Sequence, residues 1–169
     1  MIKVRHFLLV ALLVILLQAV IDKYLTLNPN LYLILTPIIV CLIPTQLRRI
    51  PMLLAAFGIG LLSDLLGNGI LGLNASAMTA MVLLRYPLIR AFTNENSLEK
   101  YPYPCQLSMG SGRFFLYLML LYFLFLSIYI LWEGAGILPS PLLVGRIVVG
   151  TVINATLGFL FTWLIIREE

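Results

Sequence analysis

One long apolar stretch restricts what this chain can fold into. From Ile50 to Leu84 the only charged residue in 35 positions is Asp64. A helix needs about 20 mostly apolar residues to cross a bilayer, so this stretch fits two crossings joined by the glycine-rich sequence between Gly67 and Gly72. The whole chain is 62% hydrophobic and 11% charged, whereas a soluble domain is about 25% charged. The sequence therefore predicts an all-α integral membrane protein and excludes a secreted or cytosolic domain, a disordered tail and a nucleic-acid-binding module.

The other apolar segments raise the expected number of crossings to six, in a single membrane domain. The spans are expected at residues 7–25, 31–46, 51–66, 73–89, 114–132 and 143–166. Pro37 and Pro44 lie inside the second span and predict a kink there, which neighbouring helices can compensate. The polar stretch 91–113 is expected to be a loop in water. The fifth span is bulky and aromatic, so much of it is expected to face lipid or a partner helix.

Basic residues predict the orientation of these spans, because Lys and Arg near helix ends are retained in the cytoplasm. With both termini cytoplasmic, nine basic residues lie inside and two, Lys23 and Arg146, lie outside. The inner residues are Lys3, Arg5, Arg48, Arg49, Arg85, Arg90, Lys100, Arg113 and Arg167. The opposite orientation would invert this ratio.

Small residues recur every four positions on two of the expected helices. In the third span, Ala56, Gly60 and Asp64 share a face. The corresponding positions in the sixth span are Arg146, Gly150, Asn154, Gly158 and Thr162. Such small-residue tracks allow helix backbones to approach closely, which predicts helix packing. A cavity for a small solute would use the same combination of small and polar residues, so that interpretation stays open.

Asp64 and Arg146 are expected at similar depth, near the outer ends of the third and sixth spans. An ionised side chain inside a bilayer is costly unless it is paired or hydrated. Since a guanidinium group can hold a carboxylate with two hydrogen bonds, we expect these two residues to pair directly or through water. The alternatives are that each side chain reaches interfacial water alone, with Arg146 extending toward the surface, or that Glu133 competes as the partner of Arg146.

Motifs for catalysis and metal binding are missing from the sequence. The single histidine, His6, excludes a zinc site built on a histidine pair. The glycine-rich segment 110–113 lacks the Lys-Ser/Thr ending of a phosphate-binding loop. Asp22 and Asp64 are the only aspartates, which leaves an intramembrane aspartyl hydrolase as the enzyme alternative. We expect no enzyme activity, no cofactor and no metal.

The segment from Phe57 to Ala75 resembles the signature of the MreD family, the small membrane component of the bacterial rod-shape machinery, or elongasome. That signature is Gly-x-x-x-Asp-Leu, a glycine turn, and Leu-Gly-x-x-Ala. The matching residues are Gly60, Asp64, Leu65, Gly69, Leu71, Gly72 and Ala75. The segments Asn28-Pro29-Asn30 and Arg85-Tyr86-Pro87 also resemble the family.

The resemblance implies a non-enzymatic scaffold of the bacterial inner (cytoplasmic) membrane that helps to maintain cell shape during peptidoglycan elongation. It implies binding to an MreC-like membrane protein, within an assembly that includes a RodA-type glycosyltransferase, a class B penicillin-binding transpeptidase and, indirectly, MreB. Membrane lipid is a further expected contact. Together, the small-residue tracks and the signature give these candidate packing or partner-binding residues: Gly58, Gly60, Asp64, Gly67, Gly69, Gly72, Arg146, Gly150, Asn154 and Gly158.

The MreD family is also similar in fold to the substrate-binding membrane subunits of energy-coupling-factor vitamin transporters, which are six-helix bundles. This similarity implies the same fold here and gives an alternative function, a solute-binding subunit of a vitamin-type transporter. A vitamin binder should present convergent polar groups and aromatic residues in its outer loops. The expected outer side has only Tyr24 and Trp132 as aromatics, which favours the scaffold.

Overall fold

The computed structural model describes residues 4–24, 33–41, 43–44, 48–67, 70–93, 103–134 and 141–167. Within these ranges the chain forms helices and no strands. The helices are α1 (Val4–Tyr24), α2 (Pro37–Cys41), α3 (Arg49–Leu66), α4 (Leu73–Phe92), α5 (Gln106–Met109), α6 (Ser111–Glu133) and α7 (Pro141–Arg167). The prediction of an all-helical chain is confirmed for this part of the molecule.

Three of these helices are long and apolar enough to cross a membrane. They are α3, α6 and the Leu142–Leu164 stretch of α7. Large apolar side chains remain exposed on the outside of the bundle, including Leu54, Trp132 and Leu142. An apolar exterior of this kind suits contact with lipid rather than water. Length, composition and exposure together indicate a membrane protein.

Helix α6 lies at the centre of the packing. Helix α3 packs against α4, α4 against α6, and α6 against α7. The buried residues of α6 are Phe114, Tyr117, Leu118, Leu121, Tyr122, Phe125, Leu126, Tyr129 and Ile130. One face of this helix is therefore buried inside the bundle, and the predicted contact with lipid or a partner helix is left to its other face, where Leu116 and Phe123 are exposed. One of its bulky side chains, Tyr122, lies against a small residue of the flanking helix, Gly158 on α7.

The second expected span is not a continuous helix in the residues that the structure describes. Residues 33–35 are non-helical, and α2 has only five residues. At 1.5 Å per residue, five residues rise about 7.5 Å, far short of a bilayer. Pro37 is the first residue of α2 rather than a kink within it, because its fixed φ suits the first helical turn and it disfavours helix in the residue before it. Pro44 follows α2 outside the helix.

The other expected segments each coincide with one helix, α1, α3, α4, α6 or α7, within three residues at each described end. The expected 91–113 loop contains the short helix α5 and the first residues of α6. Its residues 94–102 lie outside the described ranges.

Candidate functional site

The Asp64 carboxylate joins the end of α3 to the start of α4. Its side chain is buried, and its Oδ2 accepts hydrogen bonds from the backbone N–H groups of Gly72 at 2.9 Å and Ala75 at 3.3 Å. Its Oδ1 accepts one from the N–H of Asn74 at 2.8 Å. The first N–H groups of a helix have no partner within the helix and carry partial positive charge. Asp64 therefore caps α4 from a neighbouring helix, where the N-cap residue Gly72 has no side chain to do so.

Two glycines make this close approach possible. A Cβ atom on Gly60 would lie 2.5 Å from the Cα of Ala75 and 2.7 Å from its nitrogen, so the backbones of α3 and α4 touch there. Gly72 has a φ of +95°, in the left-handed region that glycine adopts without strain. One face of α3 thus supplies both the backbone contact at Gly60 and the capping carboxylate at Asp64.

The predicted pair between Asp64 and Arg146 is not formed. Both side chains lie in the described part of the chain, where no ion pair joins them, and both Asp64 oxygens are occupied by α4 amides. Arg146 is half-buried near the start of α7. The prediction of a direct pair is wrong because backbone donors at the α4 N-terminus supply the carboxylate's partners.

A second polar cluster holds the non-helical segment before α2. The Oε1 of Gln18 accepts a hydrogen bond from the N–H of Leu35 at 2.7 Å, and its Nε2 donates to the carbonyl of Leu33 at 3.0 Å. From α7, the Oδ1 of Asn154 accepts a hydrogen bond from the N–H of Ile34 at 2.8 Å. Non-helical backbone persists at membrane depth only where protein groups satisfy it. Gln18 and Asn154 provide those groups.

A long side chain of α4 forms a hydrogen bond with the backbone that follows α2. Arg85 of α4 is buried and donates from Nη2 to the carbonyl of Ile43 and from Nη1 to the Sδ of Met52 at 2.9 Å. Among the described residues no carboxylate pairs with this guanidinium group. Helix α2 is therefore flanked on both sides by irregular backbone that polar side chains of α1, α4 and α7 satisfy.

Gln18 and Arg85 are functional candidates that sequence reasoning missed. Arg85 was expected to be one of several basic residues at the cytoplasmic side, whereas it is buried inside the bundle. Its position inside the expected span 73–89 was a usable signal, since charged residues inside a span face the protein interior. Gln18 stands alone as the polar residue in the middle of the first apolar segment, and the same rule applies to it.

The α1 carboxylate of Asp22 lies beside the C-terminal end of α3. Gln18 donates from Nε2 to the Oδ1 of Asp22 at 2.7 Å. A Cβ atom on Gly67 would lie 2.7 Å from the Oδ2 of Asp22, so this glycine leaves room for the side chain. The two aspartates, Asp22 and Asp64, thus have separate hydrogen-bond partners.

The remaining candidate residues differ in their surroundings. A Cβ atom on Gly158 would lie 3.3 Å from the Cε2 of Tyr122. Gly150 is buried, and its carbonyl accepts a hydrogen bond from the Nδ2 of Asn154 at 2.8 Å. A Cβ atom on Gly58 would have no atom within 4 Å. Gly69 lies outside the described residues.

Neither a metal site nor a match to a known protein assigns a further role to these residues. In the described ranges, no group of three His, Cys, Asp or Glu residues could hold a metal ion. No protein-family model, curated protein or solved structure matches this chain.

Proposed function

We propose that this chain is a non-enzymatic membrane scaffold of the bacterial rod-shape machinery and that it binds an MreC-like membrane protein. The observation that carries the proposal is the joint between α3 and α4. Gly60, Asp64, Gly72 and Ala75 resemble the MreD signature, and in the structure these four residues contact one another across that joint. A signature whose residues hold two helices together suits a scaffold.

The surroundings of Asp64 support a structural role over catalysis. A general base or nucleophile needs a free oxygen within hydrogen-bond reach of its substrate or of water. Asp64 is buried, and both of its oxygens accept hydrogen bonds from backbone amides. The carboxylate of Asp22 is engaged separately by Gln18. The burial and amide contacts of Asp64 therefore support a proposed function without turnover.

The proposed topology has six crossings with both termini in the cytoplasm, in a fold similar to the membrane subunits of energy-coupling-factor transporters. Helices α1 and α4 have 21 and 20 residues, sufficient length for a crossing. The second crossing would combine α2 with the irregular backbone on either side of it. Cysteine substitutions at Ser97 and Gly136 test this arrangement with membrane-impermeant reagents. Labelling of position 97 from the periplasm, or of position 136 only from the cytoplasm, contradicts it.

The proposed partners follow from the elongasome assignment. The MreC-like protein would be the direct partner in the inner membrane. A RodA-type glycosyltransferase and a class B penicillin-binding transpeptidase would belong to the same assembly, with MreB connected indirectly. Depletion of the chain in the bacterium that encodes it tests this assignment. Rod-shaped cells are expected to become round and to recover when the wild-type chain is restored, whereas an unchanged cell shape after depletion contradicts the proposal.

A further inference from the structure

A groove between α3 and α4 combines a cationic end with apolar walls. It lies at the end of this helix pair opposite the Asp64 turn and has a volume of about 390 Å³. Arg49 is the first residue of α3, and Arg90 lies in the last turn of α4. Tyr86 lies beside both arginines, and the apolar lining includes Leu53, Val82 and Leu83. Among the residues that the structure describes, no acidic side chain lines the groove.

The two guanidinium groups are held against one aromatic ring. The Cζ of Arg49 lies 4.4 Å from the centroid of the Tyr86 ring, and the Cζ of Arg90 lies 5.0 Å from it. Cation–π contacts of this kind fix the orientation of an exposed arginine. Two like charges held near one ring repel each other, so an anion placed between them would be favoured.

A third positive charge lies behind the groove. Met52 lines the groove, and its Sδ accepts a hydrogen bond from the buried guanidinium group of Arg85. Within the described ranges none of Arg49, Arg85 and Arg90 forms an ion pair with a carboxylate. The low-dielectric surroundings of Arg85 screen its charge less than water would. The groove therefore has a positive potential that no described residue neutralises.

We propose that this groove binds an anionic phospholipid, with the headgroup phosphate between Arg49 and Arg90 and an acyl chain along the apolar wall. Planar guanidinium groups bind phosphate oxygens bidentately. Basic pockets between membrane helices bind anionic headgroups in this way. Leu83 is 63% exposed, so it offers apolar surface to an acyl chain. A free phosphate ion would leave this apolar half unused, which favours a lipid.

The helix ends place the groove at the right depth for a headgroup. Helix α3 is long enough to cross a membrane, so its first residue, Arg49, lies near one membrane surface. Arg90 reaches the same level from α4 because the two helices run antiparallel from a shared turn. The proposal of a lipid site depends neither on the proposed scaffold function nor on the orientation of the chain in the membrane.

Native mass spectrometry of the detergent-purified protein tests the site. The wild-type chain is expected to retain added phosphatidylglycerol more strongly than phosphatidylcholine. The double variant Arg49→Gln/Arg90→Gln is expected to retain phosphatidylglycerol roughly thirtyfold more weakly, because each basic residue near a membrane surface contributes about fivefold to anionic-lipid binding. Arg113→Gln is the matched control, because Arg113 is an exposed arginine in the first turn of α6 that does not line the groove. It should bind phosphatidylglycerol like the wild type.

Thermal unfolding in the same detergent separates loss of lipid from loss of fold. Arg49 and Arg90 are exposed, so the double variant is expected to match the wild type without lipid and to lose only the stabilisation that phosphatidylglycerol adds. Equal retention of phosphatidylglycerol by the wild type and the double variant overturns the proposal. Equal retention of phosphatidylcholine and phosphatidylglycerol by the wild type also overturns it. Equal stabilisation by inorganic phosphate at the same concentration overturns the assignment to a lipid.

Discussion

At Gly60 a single added methyl group would collide with the backbone of the next helix. Gly60→Ala places its Cβ atom 2.5 Å from the Cα of Ala75, and backbone cannot move aside as a flexible side chain can. We expect the substitution to lower the free energy of unfolding by about 1–3 kcal/mol or more. Thermal or denaturant unfolding in detergent measures this loss.

Gly58→Ala is the matched control, two positions earlier on the same helix. No atom lies within 4 Å of a Cβ at Gly58, and alanine is favoured over glycine inside a helix. Its stability should equal or slightly exceed that of the wild type. Equal losses at Gly58 and Gly60 would show that α3 and α4 do not touch at Gly60.

The capping role of Asp64 predicts a graded series. Asp64→Ala leaves the N–H groups of Gly72, Asn74 and Ala75 without their acceptor, and an unsatisfied buried amide costs about 1–3 kcal/mol. Asp64→Asn keeps one carbonyl oxygen as an acceptor, so it should be less harmful than alanine. Unfolding measurements on the two variants provide the comparison, and equal stability of both variants and the wild type contradicts the capping role.

Arg146→Ala distinguishes capping from the ion pair that spacing alone suggests. Because Asp64 and Arg146 form no ion pair, the effects of Asp64→Ala and Arg146→Ala should add within about 0.5 kcal/mol. A double variant whose loss of stability is clearly smaller than the sum of the two single losses would support the ion pair instead.

The four-residue spacing placed Gly60 and Asp64 on one face of α3, and that face meets α4 in the structure. The identity of the Asp64 partner could not be predicted in the same way. Periodicity shows which side chains share a helix face. It does not show where the glycine turn after α3 places the start of α4. The N–H groups at the start of α4 became the partners because Gly72 adopts a positive φ.

Among the elements, α6 has two neighbouring aromatic residues with opposite surroundings. Tyr122 is fully buried, whereas Phe123 is 50% exposed. Tyr122→Ala should create a cavity beside Gly158 and lower stability by about 3–5 kcal/mol. Phe123→Ala should change stability by only about 0.5 kcal/mol. Folded yield and unfolding in detergent test the pair, and similar losses for both variants contradict the central position of α6.

The buried face of α6 could not be predicted from its sequence, because aromatic and apolar residues surround the whole helix. Phe114 and Tyr122 are buried, but their neighbours Phe115 and Phe123 are equally bulky, so no periodicity separates an inner from an outer face. The small residues of α7 carry the informative pattern instead. Gly158 lies against Tyr122, and the bulk of α6 is complementary to the small side chains that face it.

The irregular backbone before α2 gives an element-scale prediction for hydrogen exchange. Asn154→Leu removes the acceptor of the Ile34 amide, and Gln18→Leu removes the acceptor of the Leu35 amide. Each variant should increase amide exchange in the peptide that covers residues 33–41. Thr156→Val is the control, since Thr156 is exposed on α7 and bonds only the Val152 carbonyl of its own helix. Unchanged exchange in both variants contradicts the role of these side chains.

The prolines of this segment show why a kinked helix was a wrong expectation. Pro37 can either kink a helix or begin one, and the choice depends on whether the preceding backbone finds other partners. Those partners, Gln18 and Asn154, are distant in sequence. The sequence around Pro37 therefore does not show whether this proline kinks a helix or begins one.

For the whole molecule, composition predicts the class of protein more reliably than its topology. The prediction of an all-helical protein is correct for the described residues, and three described helices have the length and composition to cross a membrane. Six crossings with cytoplasmic termini remain a prediction from the distribution of basic residues. Arg85 illustrates the weakness of that count, because it is a buried structural residue. Its charge marks a polar contact inside the bundle.

Affinity purification in mild detergent tests the proposed scaffold most directly. The tagged chain would be produced at its native level in the bacterium that encodes it, captured, and its partners identified by mass spectrometry. We expect an MreC-like protein to be recovered in an amount comparable to the chain itself. Recovery of an ATPase-coupled transporter module in place of that protein, or of the folded chain with neither, would contradict the proposed function.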